Sequence, residues 1–283
     1  MGVPTSPSSP LSSTVRRSGA ALLLVAALLQ LSCAPADYSQ ADDPFLWLEE
    51  VEGEEAMDWV LGQNELTRAE LRAFPAYQRL FENTLEILTS NDRIAYPGIQ
   101  GDFLYNFWTD GDHPRGIYRR TSWGSYLSGS PRWEVVLDVD ALVEAEGTPW
   151  AFRGMNCLSP EERLCLVSLS PGGSDAVEVR EFDLEARSFI EGGFTVPVSK
   201  NTTAWVDENT LLVGHNLNED HVTASGYSAA AWLWERGMPL ESAPIISEAG
   251  PDDMGVFVAT QETADGPVTV VARLITIFDT EYQ

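Results

Sequence analysis

The residues of this sequence that could take part in hydrolysis are few and lie far apart. A serine nucleophile on a strand-to-helix elbow needs the pattern Gly-x-Ser-x-Gly, because the glycines allow a sharp turn and close packing. The nearest approach is Gly226-Tyr227-Ser228-Ala229-Ala230, which lacks the final glycine. The sequence therefore predicts no nucleophile elbow, and we interpret Gly172-Gly173-Ser174-Asp175 as a turn between two strands.

The chain has three histidines, and none has the surroundings of a general base. A catalytic histidine has to be oriented by a carboxylate that the fold places beside it. His113 lies in a predicted hairpin connection, where a structural or exposed role is the favoured interpretation. His215 and His221 flank an acidic segment, but their spacing matches no metal-binding pattern. We therefore predict no catalytic, metal-ligating or cofactor-binding residue, and no cofactor.

The charge of the chain excludes some classes of partner. The 283 residues include 43 Asp and Glu against 17 Lys and Arg, which gives a formal net charge of −26. Binding to nucleic acid needs clustered basic residues, so we predict no nucleic-acid partner. An anionic membrane surface would repel the folded part for the same reason.

The first 36 residues resemble a secretory signal. Two arginines precede the apolar run Ala20–Leu29, which is too short to span a bilayer comfortably. Cys33 follows as in a bacterial lipoprotein signal and is the candidate for lipidation, whereas Ala34-Pro35-Ala36 would allow an ordinary cleavage. We favour the lipoprotein. The predicted location is periplasmic or outer-membrane-associated in a bacterium, with membrane contact only through the signal or the lipid.

Export bears on the two remaining cysteines, Cys157 and Cys165. They flank a predicted turn at Ser159-Pro160-Glu161-Glu162 in a chain bound for an oxidising compartment, so a disulfide is conceivable. We favour two buried thiols, because sequence spacing alone cannot fix the geometry of a disulfide.

A helical segment is predicted over residues 43–100, after a polar linker at 37–42. Asp43 and Pro44 are suited to a helix start, and Gly53 would end that first helix. A second helix is predicted from about Glu54 to Phe74 and a third after Pro75. The third has one apolar face, at Tyr77, Leu80, Phe81, Thr84 and Leu88.

Short strands are predicted from residue 101 to the last residue, 283, because turn-forming residues separate short apolar runs there. A short helix is also predicted at Asp140–Glu146. The predicted strands are Phe103–Trp108, Gly116–Arg120, Trp133–Leu137, Arg163–Leu169, Val177–Phe182, Thr210–Val213, Ala231–Trp234, Gly255–Thr260 and Val268–Leu274.

The strands repeat loosely, with steps of about 40 to 60 residues, which is the range of propeller blades. Tyr105, Leu166, Leu212 and Phe257 are comparable points, and their partners are Tyr118, Val179, Trp232 and Val270. A β-sandwich or two small barrels would give similar strands. The predicted fold class is mainly β, a partial β-propeller with about four blades' worth of four-stranded antiparallel sheets, preceded by a short α-helical segment.

Several stretches, in order, resemble the prolyl oligopeptidase family of serine peptidases. They are Asp43–Glu49, Trp59–Asn64, Tyr105–Asp110, His113–Thr121, Ser168–Ala176, Val179–Asp183, Gly192–Phe194, Trp205–Leu211, Ser225–Tyr227 and Trp234–Leu240. The resemblance implies an N-terminal helical segment, a seven-bladed propeller that restricts the active site to short peptides, and a C-terminal α/β-hydrolase domain. That domain carries the catalytic triad of the family.

No stretch matches the catalytic motifs of this family, so no catalytic residue is assigned and the α/β-hydrolase domain is expected to be absent. One hypothesis is the truncated front piece of an exported peptidase that cleaves after proline. It would be inactive alone and would act on an oligopeptide only with a catalytic domain supplied in trans or downstream. The alternative is a lipid-anchored small propeller that binds a partner without enzymatic activity.

Overall fold

The computed structural model describes residues 43–50, 52–250, 252–264 and 266–283. The predicted signal at 1–36, the linker at 37–42 and the lipidation candidate Cys33 lie outside the described residues. The chain divides into two compact units, one ending at Gln78 and the other beginning at Arg79. No helix in the described ranges is long and apolar enough to span a membrane.

The described part of the first unit, which begins at Asp43, is helical, as the sequence predicts. The Asp43 carboxylate accepts a hydrogen bond from the amide of Phe45 at 2.8 Å and so opens a short 3₁₀ turn, Leu46–Glu49. Helix α1, Glu54–Ala73, begins directly after Gly53 and carries two glutamates in its first turn, where the helix dipole favours negative charge.

Helix α2, Tyr77–Thr89, crosses the division between the units. The predicted apolar face of α2 is present, but no side chain of this helix is buried. Phe81 and Leu88 are more than half exposed. Trp59 on α1 is almost half exposed.

The described residues of the second unit form sixteen strands in four antiparallel sheets. The first sheet contains β1 (Gly98–Gln100), β2 (Phe103–Trp108), β3 (Ile117–Ser122) and β4 (Glu134–Asp138). The second contains β5 (Trp150–Cys157), β6 (Leu164–Pro171), β7 (Val177–Asp183), β8 (Ser188–Phe189) and β9 (Thr195–Ser199). The third contains β10 (Asn201–Asp207), β11 (Thr210–His215), β12 (Ala230–Glu235) and β13 (Ile245–Glu248). The fourth contains β14 (Gly255–Thr263), β15 (Gly266–Leu274) and β16 (Thr280–Tyr282).

Each sheet is a meander in which consecutive strands pair, apart from β9, which pairs with β7. All nine predicted strands are present, and strands β1, β5, β8, β9, β10, β13 and β16 are additional. Two short helices follow strands of the first sheet, α3 (Trp123–Leu127) and α4 (Val139–Glu146). The second was predicted. Asp138 caps its start, and Gly147, at φ 72°, ends it in the left-handed conformation that glycine adopts readily.

Three apolar clusters hold successive sheets together. The first two sheets share a cluster that includes Tyr105 and Val167, and the second and third share one that includes Val179 and Trp234. The third and fourth sheets share a cluster around Ala231. The sheets therefore pack in a row, as blades do.

The loose repeat has a structural basis in three of the four sheets. Tyr105, Leu166 and Leu212 lie on the second strand, and their partners lie on the third. In the fourth sheet the equivalent positions, Phe257 and Val270, lie on the first and second of the three described strands. The repeat detected in the sequence is therefore a repeat of hairpins, offset by one strand in the fourth sheet.

The favoured interpretation of the two cysteines was wrong. Cys157 and Cys165 form a disulfide, and the predicted turn lies between them. The two residues face each other directly in the register of β5 and β6. Strand β5 was not predicted, so this pairing could not be anticipated from the spacing.

Candidate functional site

His113 closes the turn between β2 and β3. Its ring Nδ1 lies 3.0 Å from Oδ1 of Asp110, which also accepts a hydrogen bond from the His113 amide, while Oδ2 of Asp110 accepts one from the Trp108 indole. Burial opposes ionisation of Asp110, but these hydrogen bonds hold the pKa of its carboxyl below the ordinary value. The carboxylate organises the turn, in line with the structural interpretation of His113.

His215 is buried at the end of β11 and stacks on Trp232, with ring centroids 4.0 Å apart. The amide of Leu217 donates to its Nδ1 at 3.2 Å, which fixes the neutral tautomer with the proton on Nε2. Burial, and then the nearby His221, lower the pKa of the His215 ring. His215 therefore stays uncharged at neutral pH.

His221 reaches the same tryptophan from another side. Its ring meets Trp232 edge-on at 5.6 Å, and its Nδ1 lies 3.9 Å from a carboxylate oxygen of Glu248. The fold thus brings the two histidines together on an aromatic ring that sequence reasoning had not connected with them. Among the described residues no group of three or more His, Cys, Asp or Glu side chains is placed to hold a metal ion.

A cavity of about 820 Å³ opens beside these rings, between the second and third sheets. Its walls are mainly aromatic and aliphatic, and its rim is acidic. The wall residues include Trp232, Trp234, Met238, Pro239 and Leu240, and the rim residues include Glu219, Asp220 and Glu241. Such a lining suits an apolar group with a neutral or positive end.

The serine-containing segments are structural. Ser228 is buried, and its hydroxyl donates to the carbonyl of Ala230 at 2.7 Å, so it lies within a strand connection rather than on an exposed elbow. Gly172 and Gly173 adopt positive φ values in the turn between β6 and β7, as predicted. The hydroxyl of Ser170 donates to the carbonyl of Ser174 and braces that turn.

Antiparallel sheets of about four strands, placed one after another along the chain and packed in a row, define a β-propeller domain. The chain belongs to the prolyl oligopeptidase family, because residues 36–277 match the family's N-terminal β-propeller domain. The family resemblance drawn from the sequence is thereby confirmed, and so is the mainly β propeller fold.

Relatives and solved structures agree with this assignment. An uncharacterized peptidase of Sinorhizobium fredii is 41% identical over 244 residues, which cover 85% of this chain and 34% of the relative. A prolyl endopeptidase of Elizabethkingia miricola is 25% identical over 190 residues, 66% of this chain and 25% of the relative.

The structure of a post-proline cleaving enzyme from Rickettsia typhi superposes with a TM-score of 0.78 at 27% identity. It covers 83% of this chain and 36% of that one. The chain covers 34% of the length of the Sinorhizobium relative and 29% of the length of an uncharacterized peptidase of Rickettsia prowazekii.

Proposed function

We propose that this chain supplies the propeller of a serine peptidase that cleaves short peptides after proline. The observation that carries the proposal is the family match over residues 36–277, together with a relative and a solved structure named for cleavage at proline. In this proposal the propeller limits the size of the substrate, and the chemistry belongs to a hydrolase domain that the match does not include.

The exposed apolar side chains of the helices support a role beside a further domain. Trp59 in the first unit, and separately Phe81 and Leu88 in the second, each expose about half of their surface. Exposed apolar surface on a helix favours contact with another domain. The partner in this proposal is the hydrolase domain, supplied downstream or in trans.

The first experiment assays the purified chain on succinyl-Gly-Pro-aminomethylcoumarin. We expect no release of the fluorophore by the chain alone. We expect activity when the part of the Sinorhizobium relative that this chain does not match is fused after Gln283, and loss of that activity after treatment with the serine-directed inhibitor diisopropyl fluorophosphate. Hydrolysis by the chain alone, or an inactive but folded fusion, would contradict the proposal.

Size restriction needs its own comparison with the same fusion. A short proline-containing peptide and a folded protein that carries the same sequence in an exposed loop are digested in parallel. We expect cleavage of the peptide alone. Equal cleavage of both would show that the propeller does not filter substrates by size.

Export is the second part of the proposal. The apolar run before Cys33 and the small residues around it support a lipoprotein signal, which would leave a mature chain still more acidic, at 15 basic against 43 acidic residues, or −28. Labelling with a palmitate analogue in a bacterial host should mark the wild-type chain and not Cys33→Ala. Labelling of both proteins would remove Cys33 as the lipidation site.

A further inference from the structure

A cleft against β2 and β3 of the first sheet brings together two arginines without carboxylate partners. The cleft has a volume of about 710 Å³, and its lining includes Arg93 and Arg119. In the described residues no Asp or Glu lies within ion-pair distance of either guanidinium, whereas seven other arginines form such pairs. Both guanidiniums thus line one cleft, and neither forms a direct ion pair with a described carboxylate.

Tryptophan rings hold both guanidinium groups in place. The guanidinium carbons of Arg93 and Arg119 lie 4.6 Å and 4.1 Å from the ring centroid of Trp108. That of Arg119 also lies 4.4 Å from the ring centroid of Trp133. Cation–π contacts of this kind fix the position of the charge but use the face of the guanidinium, so its N–H edge stays available.

Some N–H groups of the two arginines have no hydrogen-bond acceptor among the described residues. Arg119 donates from Nε to the side-chain oxygen of Asn106 at 3.2 Å, and its two terminal nitrogens have no acceptor within the described part of the chain. Arg93 donates from Nε to the carbonyl of Ser90 and from Nη2 to that of Thr109. Its Nη1 has no acceptor among the same residues.

The position of the Arg119 guanidinium is electrostatically unfavourable. Burial lowers the pKa of Arg119 to about 10, and the neighbouring charge of Arg93 adds to this effect, while Asp110 opposes it. Asp110 is already occupied by the Trp108 indole and by His113. A bound anion would relieve the repulsion between the two guanidiniums.

We propose that this cleft binds a singly charged organic carboxylate, such as a peptide C-terminus or an acidic side chain. The planar edge of a guanidinium matches the two oxygens of a carboxylate, which favours this class of anion. Ile94, Tyr126 and Trp133 add apolar surface for the carbon skeleton. Asp110 and the net charge of −26 disfavour a dianion such as phosphate.

The test titrates the full chain by calorimetry with N-acetylphenylalanine and, separately, with its amide. We expect the acid to bind at least about tenfold more tightly, because loss of hydrogen bonds to a charged group costs at least that factor. N-acetylglutamic acid α-amide, whose only carboxylate is on the side chain, distinguishes the two sources of the ligand. A titration with inorganic phosphate tests whether the cleft prefers a singly charged carboxylate to a dianion.

Variants assign the binding to the cleft. Arg93→Gln and Arg119→Gln should each lower the affinity for N-acetylphenylalanine about tenfold. Arg119→Lys keeps the charge but loses the planar edge, so we expect it to bind more weakly than wild type. Arg115→Gln is the matched control, because it removes one positive charge from the loop before β3 without lining the cleft, and its affinity should be unchanged.

Three results would overturn the inference. They are equal affinity for acid and amide, tighter binding of phosphate than of the acid, and an equal loss in Arg115→Gln and Arg93→Gln. If Arg119→Gln fails to fold, Arg93→Gln decides the question, because the side chain of Arg93 is exposed and its replacement should leave the fold intact.

Discussion

The ion pair between Glu181 and Arg236 allows a quantitative test of how the second and third sheets are joined. Glu181 lies on β7 and Arg236 follows β12, and two hydrogen bonds of 2.7 and 2.8 Å connect the guanidinium to the carboxylate. The amide of Phe194 donates to the same carboxylate at 2.8 Å. The Glu181 side chain is only 1% exposed, whereas that of Arg236 is 30% exposed.

This asymmetry makes the two single substitutions unequal. Arg236→Met keeps an apolar stem over Phe194 but leaves the buried carboxylate with a backbone amide as its remaining described partner. Breaking a buried pair in this way costs about 3 to 5 kcal/mol, and partial solvent access to Arg236 argues for the lower end, about 3 kcal/mol. Glu181→Gln should cost about 1.5 kcal/mol, because Arg236 can turn towards water.

The double substitution gives the sharpest result. In Glu181→Gln with Arg236→Met no charge remains buried, so we expect the double variant to be more stable than Arg236→Met alone. A rescue of about 1 kcal/mol lies within the range of coupling between residues in contact. A double variant less stable than Arg236→Met would refute the explanation through an uncompensated buried charge.

The assay is urea unfolding of the full chain, followed by tryptophan fluorescence. Urea is preferable to guanidinium chloride, because a salt would screen the interaction under test. Midpoints are comparable if the slope with denaturant is unchanged. Arg187→Met is the matched control, since it breaks an Arg–Glu pair at 2.6 Å in which both side chains are about 40% exposed, and it should lower the midpoint far less.

Three further predictions concern stability. Serine at Cys157 and Cys165 should lower the unfolding free energy by about 2 to 3 kcal/mol, because the disulfide closes a short loop; an unchanged urea midpoint would contradict this. His215 has a lowered pKa in the fold, so below pH about 6.5 the unfolded chain binds a proton before the folded chain does, and the free energy of unfolding decreases as the pH falls. His215→Asn should therefore flatten that part of the curve of stability against pH. Gly116→Ala should lower the melting temperature of the chain markedly, because φ at this position is 99° and a Cβ would lie 2.4 Å from the Phe107 ring.

Strands could be predicted from the sequence where their own residues alternate between apolar and polar. Val177–Asp183 alternates apolar and polar residues and was predicted almost to the residue. Strand β5 was missed because Gly154, at φ 142°, interrupts it at a bulge. Strand β10 was missed because it starts with three polar residues, whose pairing depends on β11.

The disulfide illustrates how one missed element hides another. The turn at residues 159–162 was recognised, and a hairpin built on it would have placed Cys157 opposite Cys165. Without β5 there was no hairpin, and the spacing of eight residues carried no geometry. The information was therefore present in the chain but required the partner strand.

Contacts between sheets were beyond a reading of local pattern. Glu181 and Arg236 are 55 residues apart, and nothing near either residue marks the other as its partner. The stacking of His215 on Trp232 lies within the third sheet, but local pattern could not show it either, since the ring comes from the next strand. Residues singled out for their chemistry thus turned out to organise turns and sheet packing.

The acidic composition does not by itself single out Arg93 and Arg119. With 43 acidic residues for 17 basic ones, the fold forms ion pairs for only seven of the fourteen described arginines. Arg93 and Arg119 instead lie over the same tryptophan with N–H groups that no described acceptor uses. The shared tryptophan is therefore what makes this pair informative, because it places two guanidiniums with free donors in one cleft.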